Sequence, residues 1–124
     1  MALKSVTFNG SSTYVSCGNV PTSGKSCLTV EAWVYFNSLA SSTQGIVSKD
    51  GGNGQDWALY TSNYTEISFR TKNNLGHVRT ATFTGVTTGR WYHVAGVYDG
   101  DGVFVYVNGV VGVTIAPQIS VIAT

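Results

Sequence analysis

The stretch Gly89-Arg90-Trp91-Tyr92-His93-Val94-Ala95-Gly96-Val97-Tyr98-Asp99-Gly100, followed by Val103-Phe104-Val105-Tyr106-Val107-Asn108-Gly109-Val110, decides the fold class. Its first half is an aromatic and β-branched run bounded by glycine-bearing turns, the composition of a strand rather than a helix. Asp99-Gly100-Asp101-Gly102 interrupts the chain, after which Val103, Val105 and Val107 alternate with Phe104 and Tyr106. A period of two sends the valines to one face and the aromatics to the other. Asn108-Gly109 then closes a tight hairpin, because a two-residue I′ turn requires positive φ at both central positions.

The same period recurs outward from this point. In residues 28–36, Val30, Ala32, Val34 and Phe36 share one face and Glu31, Trp33 and Tyr35 the other. Residues 46–48 and 57–61 read as two strands split by Asp50-Gly51-Gly52-Asn53-Gly54, a loop too rich in glycine to hold a strand. Residues 66–71 set Ile67 and Phe69 against Glu66, Ser68 and Arg70, and Lys72-Asn73-Asn74-Leu75-Gly76 turns into a strand at 77–83. Strands at 91–98, 103–107 and 110–115 complete a meander. Turn signals at roughly eight- to twelve-residue spacing and no helical period predict an all-β, two-sheet antiparallel β-sandwich or jelly roll. A chain of 124 residues with no internal repeat makes this one domain over residues 1–124.

Charged residues are 10% of the chain and the net charge is +1, against roughly a quarter charged in an average soluble domain. The seven basic residues are scattered, whereas nucleic-acid binding by phosphate neutralisation needs a basic face, so no nucleic-acid partner is expected. Residues 1–8 hold one lysine and no long apolar run, so neither a signal peptide nor a membrane span is expected there. Cys17 and Cys27 are equally readable as a small-loop disulfide or as two buried thiols. Asn9-Gly10-Ser11 and Asn63-Tyr64-Thr65 match the glycosylation triplet, a pattern that also arises by chance.

Four segments carry a resemblance. They are Val6-Thr7-Phe8-Asn9-Gly10 with Tyr14-Val15, Leu28-Thr29-Val30-Glu31-Ala32-Trp33-Val34, Gly45-Ile46-Val47-Ser48-Lys49, and the opening stretch with Tyr106-Val107-Asn108-Gly109. In this order they resemble the laminin-G-like jelly-roll family of concanavalin A-like lectin and glucanase folds, over residues 6–112. The resemblance implies a recognition module in an extracellular or cell-surface setting. Members usually continue into a further strand pair, so this chain, closing on Ile119-Ser120-Val121-Ile122-Ala123-Thr124, is C-terminally short of the pattern. Either the final strands are missing or the apolar tail 115–122 replaces them, and an unpaired edge would seek a second copy or a neighbouring domain. A homo-oligomer is therefore an expected partner state.

Hydrolases of this fold use carboxylates paired on a strand, but Glu31, Glu66, Asp50, Asp56, Asp99 and Asp101 form no such run. Asp99 and Asp101 sit in a turn, where aspartate bonds its own backbone. His93 lies between aromatics, where the family pattern also tends to have histidine, and is read as a hydrogen-bonded structural residue. With no nucleophile motif near His77 or His93, no enzyme activity and no catalytic residue are expected. Some relatives bind calcium through loop oxygens, which implies Asp50, Asn53, Asp56, Asp99 and Asp101 as the donors here. No cofactor is expected, calcium being left open by the resemblance alone.

The aromatics are the stronger sign, since sugar rings stack their apolar C–H faces on tryptophan and tyrosine. Alternation places Trp33, Tyr35, Phe104 and Tyr106, with Glu31, on the outer, concave face of one sheet. The competing reading has Trp33 and Tyr106 supporting a loop folded over that face, and Trp91 and Trp57 filling the core. A second candidate patch is Trp57, Tyr60, Tyr64, His77 and Arg79 in loops at the end of the sandwich. The function expected is non-catalytic recognition of a carbohydrate or glycoprotein. The alternative is a structural module that self-associates through an open sheet edge.

Overall fold

The computed structural model describes residues 4–22, 24–50 and 55–113, with backbone alone at Asp50 and Gln55. Among the described residues there is no helix, and eight strands follow one another: β1 Leu28–Tyr35, β2 Gln44–Asp50, β3 Gln55–Ser62, β4 Glu66–Lys72, β5 Val78–Thr84, β6 Trp91–Tyr98, β7 Val103–Val107 and β8 Val110–Val111. They make two four-stranded sheets, a first in the order β1-β6-β7-β8 and a second in the order β2-β3-β4-β5. All pairings are antiparallel. The result is the expected all-β sandwich.

Two differences from the sequence reading stand out. The last strand, expected over 110–115, ends at Val111, and Val113 leaves the first sheet to bridge Thr82 of β5. Gly112 permits this crossing, because a Cβ there would lie 2.5 Å from the Thr82 carbonyl oxygen. Residues 114–115, the tail 115–122 and the loop 51–54 lie outside the described residues. Cys17 and Cys27, the second difference, are unbridged and exposed rather than bonded or buried.

Two hairpins show how local chemistry closes the turns. Asn108 and Gly109 take φ of 50° and 79°, as the Asn-Gly signal requires. Asn63 and Tyr64 do the same at 49° and 64° without any glycine. There the Asn63 amide donates to Glu66 Oε2 at 2.9 Å, and the Ser62 hydroxyl donates to the same oxygen at 3.1 Å.

Between the sheets lie Leu59, Ile67, Phe69, Ala81, Val94, Val103 and Val105, all without solvent exposure. The closest approach is at Gly96, flanked in register by Val30 and Val105, where a Cβ would sit 2.2 Å from the Phe69 ring. A glycine inside a strand is a weak strand former, tolerated where another group must come close. Phe69, at mid-β4, fills that slot and ties the second sheet to the first. At one end Trp57 is buried, its indole N–H donating to the Thr22 hydroxyl at 3.0 Å, which anchors the segment before β1.

Gly96→Ala is expected to lower unfolding stability by about 1–3 kcal/mol, the usual range for forcing an extra methyl into a filled core. Urea denaturation reads this, and adding Phe69→Leu to the same chain should recover part of the loss. Strictly additive effects in the double-mutant cycle would show that the two residues are not coupled.

Candidate functional site

β1 buries alternate residues, leaving Leu28, Val30, Ala32 and Val34 half-covered against the core and Glu31, Trp33 and Tyr35 exposed on the far side. On its neighbour β6, Tyr92, Val94, Gly96 and Tyr98 face inward, so Trp91, His93, Ala95 and Val97 share the outer face. The register then sets Trp33 directly opposite His93, Tyr35 opposite Trp91, and Glu31 opposite Ala95. Such cross-strand neighbours are in side-chain contact.

The rings meet accordingly. Trp33 and His93 have centroids 5.3 Å apart at 55°, and Tyr35 and Trp91 are 5.6 Å apart in an edge-to-face arrangement. Trp33 is 69% exposed, Trp91 50% and Tyr35 43%. Three large rings thus stand exposed together on one face of the first sheet. His93 Nε2 lies 3.2 Å from Glu31 Oε2, diagonally across the two strands. A solvent-facing pair of this kind adds little stability, but it fixes the imidazole against Trp33 and holds a carboxylate at the edge of the aromatic cluster.

Phe104 and Tyr106 extend the same face onto β7, opposite Val97 and Ala95. Both are only half-exposed, and the Phe104 ring folds back over Gly102, where a Cβ would meet it at 2.9 Å. The buried methyl of Ala95 floors the space between Glu31 and Tyr106. The expected outer-face residues Glu31, Trp33, Tyr35, Phe104 and Tyr106 therefore do share one face, with Phe104 and Tyr106 as its more sheltered side.

Other expectations are corrected. Trp91 does not fill the core, because the phase of β6 turns it outward next to Tyr35. Trp33, at its exposure, has no loop folded over it among the described residues. The end-loop patch does not exist as a unit. Trp57 is buried, and Tyr60 lies on the outer face of the second sheet, in the row Gly45, Tyr60, Ser68, Thr82. Arg79 belongs instead to the row of Trp57 and Thr71. Tyr64 sits in the β3–β4 turn, whereas His77 sits in the β4–β5 turn at the opposite end of β4. Antiparallel connection separates residues that the linear sequence brings near.

The oxygen donors implied for calcium do not gather among the described residues. Asp56 is largely buried, with Lys49 Nζ 3.9 Å from its carboxylate. Asp99 Oδ1 accepts the backbone N–H groups of Gly102 at 2.8 Å and Asp101 at 2.9 Å, which hold its carboxyl below the usual range. Asn53 and the Asp50 side chain lie outside the described residues, and no group of three His, Cys, Asp or Glu is placed to hold a metal among those described.

The Asp99 turn also acts on the core. Burial, then the charges of Asp101 and Asp99, raise the pKa of Tyr98 above its ordinary value of 10.0. The folded chain thus keeps a phenolic proton that the unfolded chain loses near pH 10, so this contribution is present below about pH 10 and is lost as pH rises through the folded value. Tyr98→Phe is expected to flatten the fall of melting temperature above pH 10, as measured by circular dichroism. An unchanged alkaline slope would show that Tyr98 is not the group responsible.

Set against known proteins, residues 9–118 match a laminin G-like family model described as the concanavalin A-like lectin/glucanases superfamily. No curated protein matches the chain. Domains of the laminin G-like kind are generally non-enzymatic binding modules and typically extracellular. No helix among the described residues is long and apolar enough to cross a membrane.

Proposed function

The chain belongs to the concanavalin A-like lectin/glucanase superfamily, and from that premise we propose that it is a non-catalytic module that binds a neutral carbohydrate on the outer face of the first sheet. One observation carries this reading: Trp33 and Trp91 stand exposed on neighbouring strands, with Tyr35, His93 and Glu31 packed among them. A sugar ring lays its C–H face on an indole, while its hydroxyls bond to polar groups at the rim. The Glu31 carboxylate accepts such hydroxyls, and the His93 imidazole is a second polar partner. The low charge of the chain, 10% of its residues, suits an uncharged ligand better than an ionic one.

Binding without hydrolysis follows from the same face. Of the residues that β1, β6 and β7 present outward, Glu31 is the only acid. Glycoside hydrolysis needs a second carboxylate across the bond. A second reading, assembly of copies through an open sheet edge, is favoured by β1, which has no partner on its far side among the described residues.

Trp33→Ala and Trp91→Ala are each expected to weaken retention on a bound polysaccharide by about tenfold, or ~1.4 kcal/mol. Affinity electrophoresis across a panel of neutral polysaccharides measures this, with Leu75→Ala, in the exposed β4–β5 turn of the other sheet, as the control. Retention unchanged in both tryptophan variants, or no retention of the parent chain by any glycan, would reject the carbohydrate reading.

A further inference from the structure

The two sheets end in four edges that differ sharply in their readiness to pair. The β5 edge is met by Val113, whose N–H donates to Thr82 O at 2.8 Å and whose carbonyl accepts from Thr82 N at 3.1 Å. The β8 edge is two residues long. The β2 edge is broken by two register shifts and carries Lys49. Short length, bulges and lysine are the usual means of blunting an edge against a new strand.

The β1 edge has none of these. All eight of its residues pair with β6 in unbroken register, and its sequence Leu-Thr-Val-Glu-Ala-Trp-Val-Tyr holds no Lys, Pro or Gly. Its inward residues Leu28, Val30, Ala32 and Val34 are only half-buried, whereas Val103, Val105 and Val107 on β7 are covered almost completely. The two sheets barely meet along β1 and β2. Among the described residues the core is thus open along one side, beside a strand whose outer backbone edge has no strand partner.

The chain also has a segment suited to that place. Ser5-Val6-Thr7-Phe8 alternates with period two, and Val6 and Phe8 are 71% and 50% exposed. Asn9 ends the run, its side-chain oxygen accepting the N–H groups of Ser11, Ser12 and Thr13 at 3.0, 2.9 and 3.1 Å. Residues 4–21 are exposed throughout, up to the point where Thr22 is fastened to Trp57. None of the apolar side chains of this segment is fully buried.

We infer that residues 5–8 of one copy add as a strand to the free edge of β1 in a second copy, with Val6 and Phe8 closing the core over Leu28, Val30 and Ala32. This rests on the assembly reading and names both its edge and its donor. Ser5 and Thr7 then continue the outer face beside Glu31 and Trp33, and reciprocal exchange closes a two-fold dimer.

Sedimentation velocity of the full chain, from low micromolar to near millimolar concentration, tests the inference together with the double variant Val6→Asp/Phe8→Asp. Both substituted residues are exposed, so the variant keeps its fold, checked by far-UV circular dichroism. A dimer in the parent chain, weakened at least about tenfold in the variant, is the expected result. Hydrogen exchange on the unaltered chain gives a second readout, with the outward amides of β1 gaining protection as concentration rises. A monomer at every concentration overturns both the exchange and the assembly reading. A dimer indifferent to the double variant, with β1 amides unprotected, overturns the exchange and leaves assembly through another surface standing.

Discussion

The Phe69 ring seated on the bare backbone of Gly96 is the contact around which the sandwich is arranged. Apart from the backbone bridge of Val113 to Thr82 at one edge, the two sheets are held face to face by side chains reaching from one inner face to the other. Phe69 sits mid-β4 and is fully covered, and the strand opposite it gives up a side chain so that the ring can enter. Around that slot Leu59, Ile67, Val94 and Val105 fill the remaining space without solvent contact.

The phase of every neighbouring strand follows. If Gly96 points inward, so must Tyr92, Val94 and Tyr98, and Trp91 and His93 are left outside. Antiparallel pairing with β1 then places Trp33 on His93 and Tyr35 on Trp91. A slip of β1 by one residue would turn Glu31, Trp33 and Tyr35 inward and break up that surface. The aromatic surface is thus a by-product of how the core is closed, and its rigidity is that of two paired strands rather than of a loop.

Much of this was legible in the residues. Alternation located most of the strands, although β2 runs longer at both ends than its signal suggested, and Asn108-Gly109 located a hairpin whose φ values agree with the turn type. Trp33, Tyr35 and Glu31 stood out because the opposite residues of β1, Val30, Ala32 and Val34, are plainly apolar. Trp91 and His93 were missed because β6 carries apolar or aromatic residues on both faces, which leaves its phase ambiguous. The lone Gly96 inside a valine-rich strand was the available clue, marking the face on which another group approaches. Tyr64 and His77 were grouped wrongly because thirteen positions of separation say nothing about which end of a strand each turn occupies.

Local chemistry was enough to specify an all-β chain, its turn positions and one face of β1, since period-two alternation and positive-φ turn residues act over a few neighbouring positions. Tertiary structure alone decided the rest. Only the packing of Phe69 into Gly96 set the phase of β6, only the register of β1 on β6 joined Trp33, Tyr35, Trp91, His93 and Glu31 into one surface, and only the order of strands left β1 at an edge with no partner among the described residues. Each of these depends on contacts between residues far apart in the chain, whose pairing no local pattern encodes.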